Sequence, residues 1–358
     1  MEIYVHFPFC VSKCRYCDFY SIPCGSPRDD EISKNCIAAI LKELDARADE
    51  LKNKETTSIF VGGGTPTILS CKELEMLVTG LQSRLNISLR KRRVDDPGVE
   101  TKGFISSNEK SKVEDHTTGK ESAGIEFTIE CNPGTLNREK LSLLKNLGVN
   151  RLSIGLQSAD NRELAALGRI HTYEEFLTNY EEARKTGFDN INIDLMSGIP
   201  GQTVASCEKT LNTVAGLAPE HISVYSLILE EGTPLYDDVE AGKVRLQGED
   251  FDRDMYKLTG QILANYGYER YEISNYAKPG HRCRHNMGYW TGEEYLGLGP
   301  AAASYLGCEK MCRYKNPADL KAYMSDPAGV RVLEETLDRE ALMSEFMILR
   351  LRLTEGAD

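Results

Sequence analysis

Cys10-Val11-Ser12-Lys13-Cys14-Arg15-Tyr16-Cys17 follows directly on a β-like run, Ile3-Tyr4-Val5-His6-Phe7. Three cysteines in one short loop, spaced CxxxCxxC, can converge on a single metal centre. A 4Fe–4S cluster held by cysteine normally takes four thiolates. The position two after Cys17 is Phe19, so Cys10, Cys14 and Cys17 would leave one iron free for an outside donor. An open iron points to chemistry more than to electron storage. Zinc is the competing metal, with Cys24 or His6 as a fourth ligand. The spacing and the place behind a first strand favour the cluster.

The rest of the chain fits a cofactor-binding protein of some size. Its 358 residues allow a large α/β domain and a smaller one. A hydrophobic content of 41% suits a globular core, and no apolar run is long enough to span a bilayer. The net charge of −12 argues against nucleic acid as a partner, since such surfaces are normally basic. Eleven cysteines, an odd number with no secretory signal, read as reduced thiols. With the cysteine motif almost at Met1 there is no room for a transit peptide, so a cytoplasmic location is expected.

Strand and helix signals then alternate. A helical pattern runs from about Glu31 to Leu51, with Ile37, Ile40, Leu41 and Leu44 at helix spacing. Ser58 to Val61 reads as a buried strand ending in Gly62-Gly63-Gly64-Thr65-Pro66, and a helix follows from about Cys71 to Leu85. Residues 88–122 are charged and lack apolar periodicity, which predicts a disordered insertion. Strands are predicted at Ile125–Glu130, Arg151–Gly155, Asn190–Leu195 and His221–Leu227, with helices near Arg138–Leu147, Glu174–Thr186 and Val204–Leu217. Six strands alternating with helices predict a parallel sheet with right-handed crossovers. Six units are too few for a closed eight-stranded barrel, so the expectation is an α/β fold, an open (β/α)6 partial barrel over residues 1–230. A smaller α+β region over 231–358 would pack against it, with a helix at about Asp250–Tyr266 and a strand at Tyr268–Ile273. The end at Asp358, just after a helical run, suggests missing C-terminal sequence.

Polar residues where buried strands emerge are candidate ligand contacts. Glu130 ends the third strand, Gln157 follows the fourth and Asp194 ends the fifth. Each alone could be a cap or a loop hydrogen bond; together they are harder to dismiss. The glycine run could be no more than a tight turn, and it gains weight beside the cysteine loop.

The stretch Tyr4-Val5-His6-Phe7-Pro8-Phe9-Cys10, with Cys14, Tyr16, Cys17-Asp18-Phe19-Tyr20 and Ser21, resembles the signature of radical S-adenosylmethionine proteins. More narrowly it resembles the group of oxygen-independent coproporphyrinogen oxidases and HemW heme chaperones. Glu130-Cys131-Asn132-Pro133, Gly155-Leu156-Gln157-Ser158, Leu167-Gly168-Arg169-Ile170-His171 and Asp194 to Gly201 are similar to motifs of that family. The resemblance implies the open partial barrel, with Cys10, Cys14 and Cys17 on the cluster. Tyr4, Gly63, Gly64, Thr65, Glu130, Gln157, Arg169 and Asp194 would surround S-adenosylmethionine. Reductive cleavage of the sulfonium would give a 5′-deoxyadenosyl radical.

Two functions stay open at this point. The decarboxylating members carry a fourth cysteine where this chain has Phe19. Cys283-Arg284-His285-Asn286-Met287-Gly288-Tyr289-Trp290 matches the HNxxYW pattern of the chaperone branch. These features imply a heme chaperone that delivers heme to an acceptor protein, a membrane-associated one included. The alternative is an oxidative decarboxylase acting on coproporphyrinogen III, and whether the chain is an enzyme is left open. His285, Tyr289 and Trp290 are the candidate heme contacts, against the plain alternative of packing. One departure is Ala303, which sits in Gly297–Ser304 where the family loop has a histidine.

Overall fold

Side chains alternate between the two faces of a strand, and here the alternation separates core from site. In β1 (Glu2–Phe7), Ile3, Val5 and Phe7 are fully buried on one face, leaving Glu2, Tyr4 and His6 on the other. The same pattern runs through β2 (Ser58–Gly63), β3 (Glu126–Cys131), β4 (Arg151–Gln157), β5 (Ile191–Ser197) and β6 (His221–Ser226). Ile59, Val61, Ile129, Leu152, Ile154, Ile193 and Ile222 are buried under the helices. Ser58, Glu126, Arg151, Asn192 and His221 face the concave side. The computed structural model describes residues 1–24, 29–87, 124–307 and 310–357; the insertion expected at 88–122 lies outside them.

Strands β1 to β6 pair in chain order, each parallel to the next. The intervening helices start where short polar side chains satisfy their free N–H groups. Ser70 with Glu73, and Thr172 with Glu175, form reciprocal capping boxes on the helices Cys71–Arg84 and Tyr173–Lys185. The helix expected from Glu31 to Leu51 is instead Asp29–Ala46 followed by a separate turn, Ala48–Leu51. Arg47 interrupts it, with ψ near 10°.

The region after β6 packs against the barrel through the helix Arg284–Thr291, which meets Ser58 and Glu126, and it also extends the sheet. Its strands β7 (Glu269–Arg270), β8 (Asn275–Ala277), β9 (Tyr295–Leu298), β10 (Ala303–Gly307), β11 (Met311–Lys315) and β12 (Val332–Leu337) join the same sheet. The order across the twelve strands is β12-β11-β10-β9-β1-β2-β3-β4-β5-β6-β8-β7. β9 lies parallel beside β1, and β8 antiparallel beside β6, so both edges of the six-stranded unit are covered. The sheet keeps two free ends, and the fold is an open (β/α)6 partial barrel with an α+β extension. The strand expected at Tyr268–Ile273 shrinks to β7, because Tyr271 turns inward to meet His221 Nε2 with its hydroxyl at 2.8 Å. Among the described residues no helix is long and apolar enough to cross a membrane.

Candidate functional site

The cysteine loop leaves the C-terminal end of β1 and closes on itself. A short parallel pairing of Phe9–Cys10 with Ile22–Pro23 pins its two ends, helped by Cys24 N donating to Cys10 O at 2.8 Å. Within it, Cys17 N donates to Cys14 O at 3.3 Å. Arg15 fastens the loop outward: its N–H donates to Leu167 O at 3.0 Å and its carbonyl accepts from Leu235 N at 2.9 Å. The Arg15 side chain pairs with Asp238.

Thr65 and Arg169 reach the thiols from elsewhere in the fold, and Asn132 links the two. Thr65 Oγ1 donates to Cys10 Sγ at 3.4 Å and accepts from Asn132 Nδ2 at 2.7 Å. Asn132 Oδ1 accepts from Arg169 Nη2 at 2.7 Å, and Arg169 Nη1 donates to Cys14 Sγ at 3.4 Å. A continuous path of hydrogen bonds thus runs from Cys10 through Thr65, Asn132 and Arg169 back to Cys14. Asn132 was not among the site residues expected from sequence; its only signal there was its place in the Glu130–Pro133 motif. Val11, Thr65, Asn132, Pro133, Arg169 and Ile170 line a cleft beside the loop. Burial pushes the Cys10 thiol up, opposed by donors such as Thr65. Burial, with the neighbouring cysteines adding to it, pushes Cys17 up to about 11. Without a metal these two thiols stay protonated at neutral pH, so loading a metal releases protons.

The glycine run at the end of β2 meets this network. Gly63 has φ +97° and donates its N–H to Glu130 Oε2 at 3.0 Å. A side chain on Gly62 would stand 2.6 Å from the Glu130 carboxyl, and one on Gly64 would stand 2.5 Å from Phe9 O. The glycines are therefore set by close approach as well as by turn geometry. Glu130 is pushed up to about 8, first by burial and then by Asp194. Asp194 is raised by burial, though Asn192 Nδ2 at 2.8 Å and Ser153 Oγ at 3.0 Å donate to it. Gln157 adopts φ +72° where the β4–β5 register slips, a strained backbone of the kind that gathers at functional sites. Tyr4 lies on the concave face of β1 with Glu2 and His6, its hydroxyl 3.1 Å from His6 Nδ1. His6 Nε2 is in turn 2.8 Å from Tyr20 O. Both nitrogens of His6 are thus engaged, which argues against it as a zinc ligand.

The structure brings together Cys10, Cys14, Thr65 and Arg169 by direct contact, and sets Gly63, Glu130 and Asp194 along the same rim. His285, Tyr289 and Trp290 stand elsewhere. They belong to the helix Arg284–Thr291 at the opposite ends of the strands, where His285 Nδ1 meets Ser58 Oγ at 2.8 Å.

A radical SAM superfamily model matches residues 4–214, a span that holds all the candidate residues except the three on that distant helix. The chain belongs to the radical S-adenosylmethionine superfamily. It is 34% identical to the heme chaperone HemW of Lactococcus lactis subsp. lactis, over 99% of this chain and 82% of that protein. The heme chaperone HemW of Bacillus subtilis is 35% identical over 99% of this chain and 83% of its own length. Within the superfamily the chain belongs to the HemW family. Coproporphyrinogen III oxidase (HemN) from Escherichia coli, a radical SAM enzyme, shares the fold, with a TM-score of 0.75 and 23% identity over 98% of this chain and 75% of that one.

The superfamily implies a 4Fe–4S cluster with S-adenosylmethionine, and the residues present fit both. Three cysteines share one loop, with hydroxyl and guanidinium donors on two of their sulfurs, an arrangement suited to thiolate ligands. Among the described residues no three His, Cys, Asp or Glu side chains close on one point as a single ion needs; cysteines on separate irons of a cluster stand wider apart. Arg169 Nε is buried with no hydrogen-bond partner among the described residues, which leaves one charged N–H for a carboxylate, while Nη2 is held by Asn132 Oδ1 and Gly155 O.

Proposed function

We propose that the chain is a heme chaperone that carries a 4Fe–4S cluster and S-adenosylmethionine, binds heme, and passes it to an acceptor protein. The observation that carries this reading is the similarity, along 99% of the chain, to curated heme chaperones at 34% and 35% identity. Cys10, Cys14 and Cys17 would hold three irons. Tyr4, Gly63, Gly64, Thr65, Glu130, Gln157, Arg169 and Asp194 would enclose S-adenosylmethionine, with Arg169 at its carboxylate and the glycine run at its amine. When bound, the pair supplies one-electron cleavage of a sulfonium bond; orientation and shielding are left to the protein. Thr65 and Arg169 steady the sulfur ligands, and the Glu130 carboxylate orients Gly63 N–H. Phe19, exposed at the rim, stands where decarboxylating relatives have a fourth cysteine, and this favours a carrier over a decarboxylase.

We assign residues 1–230 to the cofactor-binding barrel and 231–358 to the part that extends its edges. Odd-numbered, reduced cysteines favour a reducing compartment, and we place the protein in the cytoplasm. The test is anaerobic reconstitution followed by S-adenosylmethionine, a reductant and coproporphyrinogen III, with porphyrin products followed chromatographically. No product, with the cluster intact and added heme retained, supports the chaperone. Protoporphyrinogen in the products would make the chain a decarboxylase.

A further inference from the structure

The HNxxYW stretch sits at the floor of the barrel. Glu2, Ser58, Glu126, Arg151, Asn192 and His221 are the inward residues nearest the N-terminal ends of β1 to β6, and the helix Arg284–Thr291 closes over them. Glu126 receives the start of that helix: its carboxylate accepts from Arg284 N at 3.1 Å, His285 N at 3.2 Å and Cys283 Sγ at 3.5 Å. Gly288 lies so close to Glu2 that a Cβ there would be 1.9 Å from the carboxylate, so a side chain at this position would displace the Glu2 carboxylate.

His285 is 2% exposed. Nδ1 meets Ser58 Oγ at 2.8 Å, and Nε2 meets the Tyr289 hydroxyl at 3.0 Å. A neutral imidazole has one donor and one acceptor nitrogen, and each of these hydroxyls can serve either role. Neither ring nitrogen has a lone pair to spare. Burial and the Arg151 charge push the ring down to about 3, which keeps it neutral. Its upper face stacks on Phe60 at 5.1 Å and approaches the Tyr4 ring at 6.4 Å between centroids. From there Tyr4 leads through His6 to Tyr20, in the cysteine loop. The cysteine loop begins beyond Phe7, which is three residues, roughly 10 Å at 3.3 Å per residue, further along β1 than Tyr4. A flat macrocycle has no route to a ring enclosed in this way.

We propose that Cys283–Trp290 is the floor of the barrel, and that His285 is a positioning residue that sets Tyr4 beneath the cofactor site rather than an axial ligand of heme. The inference rests on the placement of S-adenosylmethionine beside Tyr4 in the proposed function.

Two variants separate the roles. His285→Gln can keep both hydrogen bonds with its amide, whereas His285→Leu loses both. On the metal-free chain, hemin is titrated and followed at its Soret band, and each protein is melted. After anaerobic reconstitution, S-adenosylmethionine is titrated against the electron paramagnetic resonance signal of the reduced cluster. The floor role expects a Soret maximum and a hemin affinity that agree within about twofold in all three proteins. His285→Leu should melt several degrees lower and need several-fold more S-adenosylmethionine for half-saturation, and His285→Gln should recover both. A His285→Gln protein that melts like wild type but shifts its Soret band, or loses tenfold in hemin affinity, would overturn the proposal. If His285→Leu does not fold, Tyr289→Phe and Ser58→Ala each remove one bond and keep the ring. Unchanged melting and cofactor titration in both would also overturn it. Failure of wild type to take up hemin would sink the chaperone reading, and the melting and resonance results would still decide the role of His285.

Discussion

Replacing Gly64 with alanine tests the contact between the glycine run and the cysteine loop. Gly64 N donates to Phe7 O at 2.8 Å, and Thr65 N donates to Phe9 O at 2.7 Å. A Cβ on Gly64 would stand 2.5 Å from Phe9 O and 2.8 Å from both Phe7 O and Phe9 N. All three obstacles are backbone atoms that no rotamer change can move, so the two segments must part. Separation forfeits two backbone hydrogen bonds, together about 1–3 kcal/mol, and forcing a methyl into packed backbone adds about 1–3 kcal/mol. The expected loss is about 2–6 kcal/mol, a large share of the ~5–15 kcal/mol that holds a typical protein folded. Thr65 moves with Gly64, so its bond to Cys10 Sγ weakens too. Urea unfolding of the metal-free chain measures the first effect, and iron and sulfide content after anaerobic reconstitution measures the second. Gly124→Ala is the control, because a Cβ there meets nothing within 4 Å, and its cost should stay within about 0.5 kcal/mol. If Gly64→Ala unfolds with the control and fills with iron and sulfide as wild type does, the close-approach argument fails.

Three further outcomes are expected. Changing Cys10, Cys14 and Cys17 together to alanine should abolish the brown cluster absorption, and full iron and sulfide content in that variant would refute the ligand assignment. Glu130 has its folded pKa raised from 4.5 to about 8, so its contribution to stability is complete below 4.5 and is lost as pH rises through 8. Glu130→Gln in the metal-free chain should therefore gain on wild type across that window in urea unfolding, and a pH-independent difference would contradict the buried, Asp194-facing carboxyl. Glu43 is fully buried and accepts from Gly299 N at 2.9 Å, Asn316 Nδ2 at 2.8 Å and the Tyr323 hydroxyl at 2.7 Å. Orphaning these donors in Glu43→Ala should cost about 3–6 kcal/mol at ~1–3 each, partly relieved by relaxation; a loss under about 1 kcal/mol in denaturant unfolding would show that the clamp is not needed.

Much of the site could be read from the chain because its residues are local. Three cysteines in eight positions, and polar residues at the ends of apolar strands, need no knowledge of distant contacts. Asn132 has no signal in the sequence beyond its place in the Glu130–Pro133 motif; only the fold sets its amide between Thr65 and Arg169. After β6 the sequence signalled only one strand, at Tyr268–Ile273, longer than the β7 that forms there. β8 is 3 residues long, too short for a period-2 pattern to register, and it exists because the β6 edge offers unpaired backbone groups.

The sequence by itself determined the six-fold alternation, the parallel sheet and the cysteine loop, since hydrophobic period and short-range spacing are properties of neighbouring residues. The tertiary structure alone decided what each polar group faces. Glu130 and Asp194 come within mutual influence across β3 and β5, and Arg169 returns to Cys14 from 155 residues away. It also decided that His285, a ligand candidate by residue type, spends both ring nitrogens on Ser58 and Tyr289. Whether a nitrogen is free depends on the partners that folding supplies, and those partners lie far off in the chain.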